Sequence, residues 1–265
     1  MFENVIVPFD GSPVARVVLA PATDLAWRCG ARVVIVNNSA VSDTASRAAL
    51  KSRARSQSGA DIDFWVDNDV TVSEAVLSAA EHRADPVIVV GAKGKSGGIL
   101  RPKHGLPTAT AEILAATRCP VMVLGAKADT SRGLPMTELV VPLDGSPNGE
   151  RILSLAVSWA QTMRVRVVLL GVVSASAEGD HRAERDYLEV HRRAIAPVVP
   201  EVTVELVAGP DPATGILSFL ATREDAVVAM SSHGRTGPKH GPLGAVAAKV
   251  IAESPRAVVI RRVEA

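Results

Sequence analysis

Two aspartates, Asp10 and Asp144, occupy the same place in two nearly identical strings of residues. Each follows a short β-branched run that breaks at a proline, and each leads into Gly-Ser-Pro; the strings span residues 5–13 and 139–147. An aspartate at the carboxyl end of a strand stands where open parallel sheets bind ligands. The two aspartates lie 134 residues apart, which is too long for a solenoid repeat and suits a duplicated domain. The strings therefore predict two copies of one domain and a ligand site after its first strand.

A glycine-containing loop follows the fourth parallel strand of each predicted domain. In the second half, Ser231-Ser232-His233-Gly234 precedes nine residues, after which Gly244-Ala245-Val246 opens a helix. Glycine lets the backbone approach a ligand closely, and a helix N-terminus presents unpaired N–H groups and the positive end of a dipole. Such a loop suits phosphate groups.

Basic residues lie inside these loops and add positive charge. Arg235, Lys239 and His240 fall between the glycines of the second loop. The string Pro-Lys-His-Gly occurs in both loops, at residues 102–105 and 238–241. Two interpretations remain open for Lys103 and Lys239, a phosphate contact or a solvated basic loop.

Strands alternate with helices through both halves of the chain. The predicted strands of the first half are 4–8, 32–36, 61–66, 86–90 and 120–124, and its helices are 13–29, 72–83 and 108–116, with a loop and helix within 39–60. The predicted strands of the second half are 138–142, 165–173, 202–207, 226–230 and 257–262, and its helices are 147–163, 184–195, 213–222 and 245–252. This order predicts an α/β fold of two tandem doubly wound parallel-sheet domains. Their expected bounds are residues 1–126 and 137–265, joined by a linker over 127–136.

The amino-acid composition argues against several classes of binding partner. Lys and Arg total 29 against 28 acidic residues, and aromatic residues make up only 3% of the chain. This balance argues against a nucleic-acid or membrane partner, and the low aromatic content argues against a base-stacking surface. No signal peptide or membrane span is recognisable, so a cytoplasmic location is expected. Cys29 and Cys119 are predicted to be buried free thiols rather than a disulfide framework.

Three other sets of residues resemble known binding motifs, but they do not have the spacing or the position that those motifs require. Gly94-Lys95-Ser96 resembles the end of a P-loop, but Val89 stands where that motif needs its first glycine. Ser96-Gly97-Gly98 resembles a pyrophosphatase loop, yet it follows the fourth strand instead of the first. The six histidines show no metal-ligand spacing, and His181 and His191 are expected to be solvated helix residues.

Taken together, the Asp-Gly-Ser-Pro strings and the glycine loops resemble the universal stress protein family in its tandem-domain form. The family pattern is Gly, two residues, Gly, nine residues, Gly, then Ser or Thr, paired with an Asp after the first strand. The resemblance implies a Rossmann-like fold, similar to adenine-nucleotide α-hydrolases, and ATP, alone or with Mg²⁺, as the ligand. The implied cofactor-binding residues are Pro8, Asp10, Asn37, Gly91, Gly94, Gly105, Thr108, Pro142, Asp144, Val172, Ser231, His233, Gly234, Gly244, Ala245 and Val246.

The two halves depart from that pattern in different ways. In the first half the loop is longer. Pro107-Thr108 stands where the family has Gly-Ser, twelve residues after Gly94 instead of nine, with Thr108 as a source of the hydroxyl and Gly105 as a substitute for the close-approach glycine. In the second half Ser231 replaces the first glycine and Ala245 replaces the final Ser or Thr. A lost hydroxyl–phosphate hydrogen bond costs about 1.5–3 kcal/mol, which weakens binding without abolishing it.

We therefore expect an adenine-nucleotide-binding stress-response protein in which ATP shifts conformation or partner affinity, with at most slow ATP hydrolysis. One alternative is a nucleotide-free scaffold that acts through protein–protein interaction, with the aspartates as turn or cap residues. A second alternative, an adenylate-forming enzyme, would need a catalytic base that the sequence does not reveal.

The resemblance also implies how the domains associate. The last strand of each half, 120–124 and 257–262, is apolar, and in the family this edge strand pairs two domains. The halves are therefore expected to form an internal pseudo-dimer, which would cover both edges. Further association into a homodimer is expected.

Overall fold

A computed structural model of the chain describes residues 2–9, 13–37, 47–49, 51–52, 59–67, 69–92, 106–125, 127–130, 133–175, 179–235, 237 and 243–263. These residues form two compact units. One contains Met1–Leu124 with Asp129–Leu134, and the other contains Gly125–Ala128 with Pro135–Ala265.

The first unit alternates strands and helices as the sequence predicts. Its elements are β1 (Asn4–Pro8), α1 (Pro13–Cys29), β2 (Arg32–Asn37), β3 (Ile62–Val66), α2 (Val72–Glu81), β4 (Pro86–Gly91), α3 (Thr108–Ala116) and β5 (Val121–Leu124). The strand order is β3-β2-β1-β4-β5, and the pairings are parallel. The central strand β1 is buried on both faces, which explains its unbroken apolar run.

The second unit repeats this architecture. Its elements are β6 (Glu138–Pro142), α4 (Pro147–Glu150), α5 (Leu153–Met163), β7 (Arg166–Ser174), α6 (Arg182–Ile195), β8 (Val202–Gly209), α7 (Pro212–Ala221), β9 (Ala226–Ser231), α8 (Ala245–Glu253) and β10 (Ala257–Arg261). The strand order is β8-β7-β6-β9-β10, again with parallel pairings. The prediction of two doubly wound parallel-sheet domains is confirmed.

One predicted helix is divided. The sequence predicts a single helix over 147–163, whereas the structure has α4 and α5 separated by a turn at Arg151 and Ile152. The carbonyl of Gly149 accepts a hydrogen bond from Ser231 Oγ (3.2 Å), and the carbonyl of Arg151 accepts one from Arg261 Nη1 (3.1 Å). Because these tertiary donors engage carbonyls at the break, the helix restarts at Leu153.

The amino ends of the second sheet are joined by a buried carboxylate. Glu138, only 2% exposed, accepts hydrogen bonds from Arg166 Nη2 (2.8 Å) and Nε (3.0 Å) and from Arg223 Nη1 (3.2 Å). The cluster fixes the starts of β6 and β7 beside the turn that precedes β9. The opposite, carboxyl ends of the strands carry the loops that the sequence singles out.

In the described part of the chain, no helix is long and apolar enough to cross a membrane.

Candidate functional site

The aspartate loop of the second unit, residues 143–146, leaves the carboxyl end of β6 and leads into α4. Gly145 adopts a left-handed conformation with φ of +77°, which turns the chain toward the helix. Ser146 is the N-cap of α4: its Oγ accepts the Gly149 N–H at 3.0 Å, and Pro147 occupies the first turn. Each residue of the Gly-Ser-Pro string thus has a structural role: Gly145 makes the turn, Ser146 caps the helix and Pro147 begins it.

The Asp144 carboxylate is held by three protein donors. Oδ1 accepts hydrogen bonds from the Ser146 N–H (3.0 Å) and the Ser146 hydroxyl (2.6 Å). Oδ2 accepts one from the backbone N–H of Arg235 at 3.0 Å. A Cβ atom on Gly234 would collide with Oδ2, so only glycine permits this approach of the two loops. The Asp144 carboxylate therefore joins the aspartate loop to the glycine loop.

Two further hydrogen bonds reinforce that junction. Arg235 Nε donates to the backbone carbonyl of Asp144 at 2.7 Å, and Asn148 Nδ2 donates to the carbonyl of Gly234 at 3.3 Å. The sequence indicates Arg235 as a source of charge, but it does not indicate Asn148. A side-chain amide one residue after Pro147 carries no signal by itself.

The glycine loop, residues 231–244, begins in the core and ends at a helix N-terminus. Ser231 is 7% exposed and Ser232 is 1% exposed. His233 is 5% exposed, and its Nδ1 lies 3.0 Å from Ser232 Oγ. The loop closes on itself where the Gly244 N–H donates to the Ser232 carbonyl at 2.8 Å. These contacts anchor the loop at both ends.

The N-terminus of α8 has no side-chain cap from a described residue. Gly244 is the N-cap and supplies no side-chain hydrogen bond, and Ala245 at the first helical position is exposed. The first N–H groups of a helix have no intrahelical acceptor, and they carry the positive end of the dipole. An anion is therefore the ligand that this end of the loop favours.

Helix α6 borders the aspartate loop through a cluster that the sequence does not predict. Tyr187 Oη donates to Glu150 Oε1 at 3.0 Å, and His191 Nε2 lies 3.4 Å from the same oxygen. The two rings pack edge to face with centroids 4.8 Å apart. Burial, followed by the Glu150 carboxylate, raises the pKa of Tyr187, which therefore stays a neutral donor.

The expectation that His191 is solvated is wrong. Its side chain is 19% exposed and packs against Tyr187 and Glu150. The period of α6 could have placed Tyr187 and His191 on one face, since they are four residues apart. Their common partner Glu150, which lies on another helix, could not have been inferred in the same way.

The other predicted residues of the second unit lie on neighbouring strands. Pro142 is the last residue of β6 and is half-buried. Val172 lies in β7, where its side chain packs against Gly215 of α7; a Cβ atom on that glycine would lie 2.5 Å from Val172 Cγ1. Val246 is the second residue of α8. The structure therefore brings Asp144, Gly234 and Arg235 into contact and sets Val172 one strand away.

The first unit shows only part of its corresponding site. Pro8 ends β1, Asn37 ends β2 and Gly91 ends β4. The carbonyl of Gly91 accepts a hydrogen bond from Thr110 Oγ1 at 3.0 Å. Thr108 is exposed at the start of α3, which has no side-chain cap. Asp10, Gly94, Lys103, His104, Gly105, Lys239 and His240 lie outside the described residues.

Within the described residues, no group of three or more His, Cys, Asp or Glu side chains is placed to hold a metal ion.

Comparison with known proteins gives a family for the second unit and a fold for the whole chain. Residues 136–262 match the model of the Universal stress protein family. The structure is similar to that of a universal stress protein from Archaeoglobus fulgidus DSM 4304, with a TM-score of 0.70, 18% identity and coverage of 98% of both chains. No match was found among curated proteins.

Two other solved structures share the fold across most of the chain. A protein of unknown function from Pseudomonas aeruginosa PAO1 is similar at a TM-score of 0.66 and 12% identity, over 98% of this chain and 92% of that one. The cytoplasmic domain of a prokaryotic cation chloride cotransporter is similar at 0.57 and 10% identity, over 98% and 95%. The structural similarity establishes the architecture. At such low sequence identity it carries no information about function.

Proposed function

We propose, starting from the universal stress protein domain that residues 136–262 match, that this chain binds an adenine nucleotide and serves as a regulatory protein. ATP, alone or with Mg²⁺, is the proposed ligand. We further propose that the first unit is a second copy of the same domain, since it repeats the strand order. Association into a homodimer and a cytoplasmic location remain predictions.

The observation that carries this proposal is the junction made by Asp144. Its Oδ2 accepts a hydrogen bond from the Arg235 backbone N–H at 3.0 Å, so the aspartate loop contacts the first part of the glycine loop at the carboxyl edge of the sheet. That edge is where open α/β sheets bind ligands. The uncapped start of α8 supplies N–H donors for phosphate on the same loop.

The first unit supports the proposal in a complementary way. Thr108 places a hydroxyl at the exposed start of α3, whereas Ala245 at the corresponding start of α8 has none. A phosphate in the first unit would therefore gain a hydrogen bond that the second unit lacks. The two units are expected to differ in affinity.

The test is to measure ATP binding by titration calorimetry with the wild type, Asp144→Ala, Asp10→Ala and the double variant. Nucleotide released from freshly purified protein on denaturation would be quantified in parallel. We expect each single variant to lose the binding of its own unit, because Asp144 organises the second site and Asp10 occupies the matching sequence position. Glu253→Ala, which changes an exposed carboxylate at the far end of α8, is the matched control.

Two results would contradict the proposal. Purified wild type that carries no nucleotide and gives no heat with millimolar ATP would favour the protein-interaction scaffold. Equal loss of binding in Glu253→Ala and Asp144→Ala would show that the effect is not specific to the aspartate loop.

A further inference from the structure

The outward side of α6 carries an apolar stripe that no described residue covers. Leu188 and Ile195 lie on the inner side of the helix and are buried. Ala183, Val190 and Ala194 lie on the opposite side and are exposed, Val190 by 62%. The helical period places Ala183 and Ala194 within about 40° of Val190. Because the three residues share one helix face, they form a contiguous surface rather than isolated exposed side chains.

Two residues of opposite charge, Asp186 and Arg193, flank this stripe. Both are exposed, and neither side chain has an ion-pair partner in the described part of the chain. The adjacent Arg192 differs, since its Nε lies 2.7 Å from Glu189 Oε2. The helical period places Asp186 and Arg193 on the same side of Val190, about 40° and 60° away from it. The apolar stripe and these two charged residues together are the α6 outer face.

A second copy of the α6 outer face is complementary to the first when the two helices run antiparallel. A twofold axis at Val190 would set this residue against its symmetry mate. Asp186, four residues before Val190, would then face the partner's Arg193, which lies three residues after it. A parallel pair would instead oppose each charge to an identical one, which is unfavourable. The positions of the two charges therefore favour an antiparallel, self-complementary contact.

The size of the side chains and the length of the helix set the strength of such a contact. Ala183 and Ala194 are small, so two helices can approach to the 8–10 Å between axes that is typical of packed helices. Helix α6 has 14 residues and is therefore about 21 Å long. One helix face of that length buries less than the roughly 1,600 Å² of a standard protein interface. A weak, reversible dimer is the association that this area supports.

We propose that the α6 outer face is a homodimer surface, on which α6 packs antiparallel against α6 of a second copy of this chain. The inference gives a specific surface to the predicted homodimer, and it does not depend on nucleotide binding. Val190 forms the centre of the contact, and two pairs of Asp186 with the partner's Arg193 lie beside it. Because these pairs are exposed, added salt weakens the dimer.

The experiment measures the dimer dissociation constant of the full chain by sedimentation equilibrium, from low micromolar to millimolar protein concentration. We expect Asp186→Arg and Arg193→Asp each to raise this constant by about tenfold or more, because each places like charges opposite one another. The double variant exchanges the two charges and is expected to return to the wild-type value. Glu184→Arg is the matched control, since it reverses an exposed charge on another side of the same helix.

A cross-linking measurement tests the position of the twofold axis. In a Cys119→Ser chain, Val190→Cys would place two thiols next to each other across the axis, so a short bis-maleimide should join two chains covalently. The Cys119→Ser chain alone should remain uncross-linked, because Cys29 is only 5% exposed. Glu184→Cys in the same chain is the control for an exposed thiol away from the outer face, and it should cross-link far less.

Three results would overturn the inference. A wild type that stays monomeric at all concentrations would leave the α6 outer face to another kind of partner. A dimer that neither charge reversal weakens would use a different surface, and failure of the double variant to recover would exclude the antiparallel pairing. ATP titrations of the same chains keep the two proposals separate, because dimerisation without ATP binding contradicts only the proposed function. Melting temperatures show whether each variant is folded.

Discussion

Asp144 joins two loops through the two oxygens of one carboxylate. The residue forms a turn with Ser146, as the structural interpretation of the sequence expects, and it also joins the glycine loop through Arg235. The structure confirms the structural interpretation, and the binding of a ligand by Asp144 stays a prediction. A carboxylate with both oxygens engaged is well positioned to hold a loop in the shape that a ligand requires.

Ser146 is the residue on which this local structure depends most directly. Its hydroxyl caps α4 and donates to Asp144, and the residue is only 6% exposed. We expect Ser146→Ala to lower the free energy of unfolding by about 1–2 kcal/mol, because both hydrogen bonds are lost. Urea unfolding monitored by circular dichroism would measure the change.

Ser146→Thr is the control, since threonine keeps the hydroxyl and remains an acceptable N-cap. If Ser146→Ala and Ser146→Thr unfold with the same free energy, the hydroxyl contributes nothing measurable and the assigned cap is wrong.

At the scale of elements, α7 and α8 are joined by an ion pair between Asp211 and Lys249. Asp211 is the N-cap of α7, where its Oδ1 accepts the Thr214 N–H at 2.9 Å. Its other oxygen accepts hydrogen bonds from the Thr214 hydroxyl (2.7 Å) and from Lys249 Nζ of α8 (3.1 Å). The bonds to Thr214, followed by the one to Lys249, lower the pKa of Asp211 to about 2.

This pKa shift predicts a pH dependence for the stability of the second unit. The folded-state pKa lies below the ordinary value of 3.8, so the contribution is fully present above about pH 4 and is lost as the pH falls toward 2. Asp211→Asn keeps an acceptor for the cap but cannot titrate. Over this range we expect the urea midpoint of the wild type to fall more steeply than that of Asp211→Asn.

Parallel curves for the two proteins would show that Asp211 has the same pKa in the folded and unfolded chains. Lys249→Met provides a second comparison, because it removes the ion pair and leaves the titrating carboxylate in place.

At the scale of the whole molecule, the two units repeat one architecture while their thiols differ. Both cysteines belong to the first unit, and they form no disulfide with each other. Cys29 is 5% exposed, and burial raises its pKa to about 11. The sequence predicts a buried Cys119, whereas the structure shows this thiol only half-buried; burial raises its pKa too.

Cys29 is therefore predicted to report the unfolding of the first unit. In a Cys119→Ser chain at pH 8, a thiol reagent should label Cys29 slowly in buffer and rapidly in denaturant, because the native thiol is both buried and protonated. The complementary Cys29→Ser chain should react faster in buffer through the more exposed Cys119. Comparable native rates for the two chains would contradict the assigned burial of Cys29.

The sequence by itself determined the architecture and most element bounds. The Val- and Ile-rich runs of β1 and β6 are buried on both faces, and such runs between helical periods specify parallel strands without any distant information. The repeated Asp-Gly-Ser-Pro string likewise placed Asp144 at a turn before a helix, since turn and cap preferences act over a few residues.

Only the tertiary structure decided which distant groups meet. The break between α4 and α5 depends on Ser231 and Arg261, which lie more than eighty residues away in the chain. The hydrogen bond from Arg235 Nε to the Asp144 carbonyl and the contact of His191 with Glu150 likewise join distant parts of the chain. Local propensity carries no information about such partners, because their positions follow from how the completed sheet brings the carboxyl ends of its strands together.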